Sequence, residues 1–236
     1  MSFKDFIVDT IKYTFQEKTT FLIFGLLLVV LAFLPVEELM SFEISYYISN
    51  IPILLVTFIL VAIQGGYLSK IFEDFVKGSD TMPSPKFSEL TLYLKEGVKD
   101  LILGMFYSIP FLSIMIIPEA LGDLFLILML IVVILAYVAL LIIQTAILYT
   151  VIDDYKKAFN VIYIFKKSKE IGFKRLHLVL ILSILILVVV SSITLTNNDP
   201  IMTIILIAVG FILYPILAIM DVRYLGLIGR EIINKK

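Results

Sequence analysis

The chain has 236 residues, 61% hydrophobic and 17% charged, with 19 Lys and Arg against 20 Asp and Glu. At a mean hydropathy of +1.07 a soluble domain of this size is excluded, since an apolar content near half is usual in water, and lipid is the expected solvent. The absence of cysteine excludes disulfides, thiolate metal sites and palmitoyl anchors.

In chain order, Phe3, Phe6, Ile7, Ile11 and Phe15 recur at helical spacing, with Lys4, Asp5, Asp9, Lys12 and Gln16 on the other face. That pattern predicts an amphipathic helix. No small-residue cleavage site follows, so the mature chain is expected to begin near Met1. Apolar stretches at 19–34 and 51–72 come next, separated by a turn at Pro35 and by Glu37, Glu38 and Glu43. Beyond the breaker Met82-Pro83-Ser84-Pro85, a second amphipathic helix is predicted, with Phe87, Leu90, Leu94, Val98 and Leu101 on one face and Glu89, Lys95, Glu96 and Lys99 away from it. Stretches at 101–117 and 124–152 flank a turn at 118–122. A third amphipathic segment runs from Tyr155 through Phe159, Ile162 and Phe165, opposed by Lys156, Lys157, Lys166 and Lys167. The last stretches, 176–195 and 201–220, are joined by a turn at 197–200.

A bilayer core about 30 Å thick needs about 20 apolar residues per helix, with about 17 as the lower limit, so these stretches read as six crossings. The 19 bases fall before the odd-numbered crossings or after the last, with Lys70 at the inner end of the second stretch, and the other gaps carry only acids. Basic residues stay on the cytoplasmic side. Both termini are therefore expected in the cytoplasm, in a multi-pass protein of the cell membrane with a net charge of +5 inside and −6 outside. The three amphipathic helices would lie at the cytoplasmic face, either in the headgroup region with lysine stems reaching toward anionic lipid or as a cap on the bundle.

The ends of the even crossings align at offsets of 80 and 77 residues. Leu68, Leu148 and Leu225 coincide, as do Asp74, Asp154 and Glu231. This pattern suggests repeats 1–80, 81–155 and 156–236 within one membrane domain, 1–236. The fold expected is an all-α membrane bundle of six crossings with pseudo-threefold character.

Three groups of residues are candidates for function. Gln64, Gln144 and Asp221 share a repeat position and would either converge as a polar constriction or bond to headgroups and neighbouring helix ends. The second reading is preferred because they lie away from the bilayer centre, where ionisable groups cost most. Pro52, Pro110 and Pro215 fall within crossings and would break helices to free carbonyls or simply kink them. Lys156, Lys157, Lys166 and Lys167 are candidates for headgroup binding. Gly65 with Ser69, Gly97 with Gly104, and Gly104 with Ser108 read as packing faces.

Enzymatic patterns are missing. The single histidine, His177, excludes a multi-histidine metal site. Asp153 and Asp154 adjoin Lys156 and Lys157, which weakens any cation site there. No phosphate-binding glycine loop, nucleophile elbow or zinc-protease helix occurs. Topology already explains the bases, so nucleic acid is not an expected partner. No cofactor and no metal are expected.

At Gly66-Tyr67, Gly78, Pro83, Phe87, Gly97, Lys99 and Tyr107-Ser108-Ile109-Pro110 the chain resembles a prokaryotic, mainly archaeal, membrane family known as domain of unknown function 4013. The resemblance covers the middle of the chain and implies an integral membrane protein, with no catalytic residues to carry over. Mitochondrial carriers also combine three hairpins with amphipathic helices, but their Pro-x-acid-x-x-base signature is missing. The function expected is a non-enzymatic inner-leaflet helper or lipid-organising protein, with membrane lipid and a membrane protein as partners. The alternative is a small secondary transporter or channel with its site among the proline-broken helices.

Overall fold

The computed structural model describes residues 3–32, 48–114, 123–194 and 200–235. Among these, all regular secondary structure is helical: α1 (Phe3–Thr14), α2 (Thr19–Ala32), α3 (Ile51–Val76), α4 (Leu90–Ile114), α5 (Asp123–Ile152), α6 (Val161–Ile171), α7 (Phe173–Thr194) and α8 (Pro200–Ile233). Two 3₁₀ turns, Phe87–Glu89 and Tyr155–Phe159, precede α4 and α6. The turns expected at Pro35, 118–122 and 197–199 lie outside the described residues.

Among the described residues, four helices are long and apolar enough to cross a membrane: α3, residues 127–152 of α5, residues 173–192 of α7, and residues 201–233 of α8. A fifth span is available if α1 and α2, bent by 90°, count together. Six crossings were expected. In α4, Lys95, Glu96, Lys99 and Asp100 occupy the first half, and its apolar part, 101–114, runs to where the described residues stop. The first crossing likewise runs into residues 33–34, which are not described.

Two of the amphipathic segments differ from their sequence-based outline. The second is no separate helix, because α4 continues from Leu90 to Ile114 without a break. Its buried stripe is Tyr93, Gly97, Leu103 and Tyr107, while Phe87 is 92% exposed. Aromatic bulk at Tyr93 and the absence of a side chain at Gly97 decide the packed face, a choice that hydropathy alone does not register. The third begins as the 3₁₀ turn, and only then does Asn160 start α6, its side chain accepting the Tyr163 N–H at 3.0 Å. Such a cap satisfies a donor that the first helical turn leaves open. The face of α6 that is buried carries Ile164 and Ser168, and Ile162 is 72% exposed.

Pro52 is also placed differently. It sits in the first turn of α3, where a missing N–H breaks nothing, so it opens the helix instead of interrupting it. Pro110 lies inside α4 and Pro215 inside the continuous α8.

The chain forms two compact units, residues 1–98 with 182–230, and residues 99–181 with 231–236. In the first unit a core of Tyr13, Phe24, Leu28, Tyr67, Ile71 and Tyr214, with their neighbours, joins α1, α2, α3 and α8. The closest approach is between α3 and α4. A Cβ on Gly66 would fall 1.7 Å from the Tyr93 carbonyl oxygen, and one on Gly97 would fall 1.7 Å from that of Ala62. Ala62 and Gly66, four apart on α3, and Gly97 on α4 thus allow backbone contact. In the second unit, Leu141 of α5 packs on Leu176 and Leu180 of α7, and a buried bond of 2.8 Å joins Ser168 to Thr145.

Candidate functional site

In the first unit, α3 ends in a Schellman turn. The Gly78 N–H donates to the Phe75 carbonyl at 3.1 Å and the Ser79 N–H to that of Asp74 at 2.9 Å. Gly78 has φ +103°, a conformation that costs little only without a Cβ. The turn releases the chain into residues 79–84, and each of these six makes a hydrogen bond to a side chain.

From one side, Arg230 donates through Nε to the Phe75 carbonyl and through Nη2 to the Ser79 carbonyl and the Asp80 carboxylate, both at 2.9 Å. From the other side, the Tyr13 hydroxyl donates to the Thr81 carbonyl at 3.4 Å and Gln16 accepts from the Met82 N–H at 3.1 Å. The Tyr67 hydroxyl donates to the Pro83 carbonyl at 2.7 Å, and it accepts in turn from Thr20 at 3.0 Å. Ser84 donates to Glu17. That bond, together with those from the Thr19 hydroxyl and N–H, holds the Glu17 carboxyl below its usual range. At the start of α4, desolvation and a 2.8 Å bond to Glu89 push the Tyr93 hydroxyl up to about 12.

Next to this strap, Arg223 is 5% exposed. Its Nη2 pairs with Asp9 at 2.7 Å and its Nη1 lies 3.4 Å from the Thr10 hydroxyl. Its guanidinium carbon is 4.3 Å from the Tyr13 ring centre and 4.8 Å from that of Phe75, and that of Arg230 is 3.8 Å from Phe75. Gly226, one turn from both arginines on α8, makes room for this stack, since a Cβ there would meet the Phe75 ring at 2.6 Å. A pocket of about 460 Å³ opens against these groups, lined by Asp9, Lys12, Tyr13, Asp80, Arg223 and Arg230 among others.

In the sequence Arg223 and Arg230 count as topogenic charges. Their spacing of seven, with Gly226 between, places both on one helix face, and that spacing is the signal by which the pair is legible.

In the second unit the four lysines flank the connection between α5 and α6. Lys157 pairs with Asp153 at 2.8 Å and Lys167 with Glu170 at 2.7 Å, and their ammonium groups lie 6.0 and 5.9 Å from the Tyr163 ring centre. The Glu170 bond raises the Lys167 amine above its usual range. Tyr163 donates to Asp153 at 2.7 Å, so Asp153 is engaged on both oxygens, and burial followed by that bond raises the phenol. Asp154 accepts the Lys156 N–H at 3.0 Å. The side chains of Lys156 and Lys166 are exposed. His177 is packed on Tyr137, and its Nδ1 contacts the Phe173 carbonyl at 2.6 Å.

Gln64 and Asp221, both in the first unit, are held separately. Gln64 is buried and donates to the Tyr214 hydroxyl at 2.6 Å. The Asp221 carboxylate accepts from Ser183 at 3.3 and 3.4 Å. Tyr214 and Asp221 are two turns apart on α8, about 10 Å along its axis. Gln144 is buried in α5 of the second unit. Of the expected glycine contacts, Gly97 is packed, Gly65 has only the Gly97 Cα at 3.7 Å, and Gly104 faces open space.

The residues behind the family resemblance have physical roles here. Gly66 and Gly97 allow the helix crossing, Tyr67 holds Pro83, and Gly78 makes the turn. In the second unit the Tyr107 hydroxyl donates to the Ala158 carbonyl at 2.8 Å, and Tyr155 donates to that of Lys99 at 2.9 Å. No curated protein and no solved structure matches the chain. A family profile described as protein of unknown function (DUF4013) matches residues 51–222, most of the chain, and the protein belongs to that family.

Proposed function

We propose that this is a non-enzymatic membrane protein of six crossings, with both termini cytoplasmic, that gathers anionic lipid headgroups at the inner leaflet through α1, α6 and the lysines around them. The supporting observation is the surface of the two short helices. α1 and α6 have 12 and 11 residues, too few to cross, yet they expose Val8 and Ile11, with Phe15 just beyond the end of α1, and Val161 and Ile162, beside their lysines. A polar helix that leaves apolar side chains uncovered next to bases is suited to the headgroup boundary. The 90° bend between α1 and α2 fits a helix lying along the surface before one that enters it.

Each lysine near an anionic surface contributes on the order of 1 kcal/mol. Replacing Lys156, Lys157, Lys166 and Lys167 together by Gln should therefore markedly reduce enrichment of anionic lipid around the protein in nanodiscs of mixed phosphatidylcholine and phosphatidylglycerol. Mass spectrometry of the retained lipid reads the change. Unchanged enrichment would contradict the proposal.

A further inference from the structure

We propose that the pocket between α1 and the end of α8 binds one phosphate ester, with Arg223, Arg230 and Lys12 as its ligands. Three observations converge on it. Five charged side chains line the pocket, Lys12, Arg223 and Arg230 against Asp9 and Asp80, which leaves one positive charge for a singly charged phosphate monoester to neutralise. Arg223 is buried, and its Nε has no hydrogen-bond partner among the described residues. A charged group's buried N–H without an acceptor is a cost to the fold that an arriving oxyanion would relieve. The two guanidinium groups are also set in advance, both stacked on Phe75 with Tyr13 on Arg223, so little side-chain freedom is lost when they donate.

The geometry favours phosphate over carboxylate. Lys12 comes from α1, and the arginines come from two levels of α8, so donors reach the pocket from different directions. That arrangement suits a tetrahedral anion better than a planar one. Asp9 and Asp80 hold one nitrogen of each arginine and orient the remaining donors. Such an ester could be a lipid headgroup or a soluble phosphate. The first source alone rests on the membrane placement proposed above.

The test uses the full chain. Native mass spectrometry from nanodiscs containing phosphatidylcholine with phosphatidic acid reads lipid retention, and calorimetry in detergent reads inorganic phosphate. Retention of one phosphatidic acid, or saturable binding of inorganic phosphate, supports the site and identifies its source. Lys12→Gln, whose exposed side chain makes no hydrogen bond or ion pair among the described residues, should weaken binding about threefold, and Arg223→Lys, which keeps the charge and removes the fork, about tenfold. Binding of neither probe would overturn the proposal, as would equal binding by both variants and the parent. The fourfold lysine variant separates the two readings: it should keep this one-to-one binding while losing general lipid enrichment. Loss of one-to-one binding there, with Arg223→Lys unaffected, would move the site to the lysines and end the proposal.

Discussion

The connections that follow α3 and α5 are held by opposite means. After α3, residues 79–84 are tied to side chains of other elements: Arg230 on one side, Tyr13, Gln16, Glu17 and Tyr67 on the other. After α5, the chain largely caps itself. Asp154 accepts from Lys156, Asn160 from Tyr163, and Lys157 reaches back to Asp153, with the Tyr107 and Tyr155 bonds to backbone carbonyls in addition. The first arrangement encloses a charged pocket. The second leaves its lysines facing outward. One connection is fastened by side chains distant in the chain and carries no base between residues 79 and 84, and the other is fastened largely by its own residues and includes Lys156 and Lys157.

The largest expected effect separates the packed glycine of the first unit from the open one seven residues later. Gly97→Leu must force α3 and α4 apart at backbone contact and should cost about 3 kcal/mol, toward the upper end for overpacking. Gly104→Ala should be neutral or stabilising by about 0.5 kcal/mol, as alanine for glycine in a helix is. Thermal unfolding in detergent reads both, and equal melting temperatures would remove the α3–α4 contact from the account.

A smaller pair of changes contrasts the two connections directly. Arg230→Gln should release residues 79–84 by about 2 kcal/mol, roughly thirtyfold in amide protection, because several hydrogen bonds to a charged group are lost together. Asn160→Ala should weaken the start of α6 by about 1 kcal/mol. Hydrogen exchange must show each loss confined to its own connection. Exchange spreading from Arg230→Gln through α6 would mean that the strap is not a local device.

Much of the helical outline was legible in the sequence because apolar length and helical period are local properties. The 51–72 and 201–220 stretches were found, and both helices then continue to Val76 and Ile233, since hydropathy falls where the membrane ends while the hydrogen-bonded helix need not. The packed face of α4 was misjudged for a related reason. Phe87 and Leu90 have the hydropathy of a buried face, but Gly97 and Tyr93 make the contact, and glycine contributes nothing to a hydropathy pattern. Met82-Pro83-Ser84-Pro85 reads as a breaker, with no sign of what residues 79–84 meet, since Arg230 lies about 150 residues away and sequence spacing carries no record of such a meeting. Charge distribution was legible as topology, and for that reason the Arg223 and Arg230 pair was absorbed into it.

The central claim is that the polar connections share one membrane face, the cytoplasmic one. The chain has no cysteine, so single cysteines report without background. Phe87→Cys and Lys166→Cys, both at exposed positions, should resist a membrane-impermeant maleimide in intact cells and react once the membrane is opened, whereas Glu119→Cys should react in intact cells. Labelling of Phe87→Cys and Lys166→Cys from opposite sides, or of either from outside, would contradict the account.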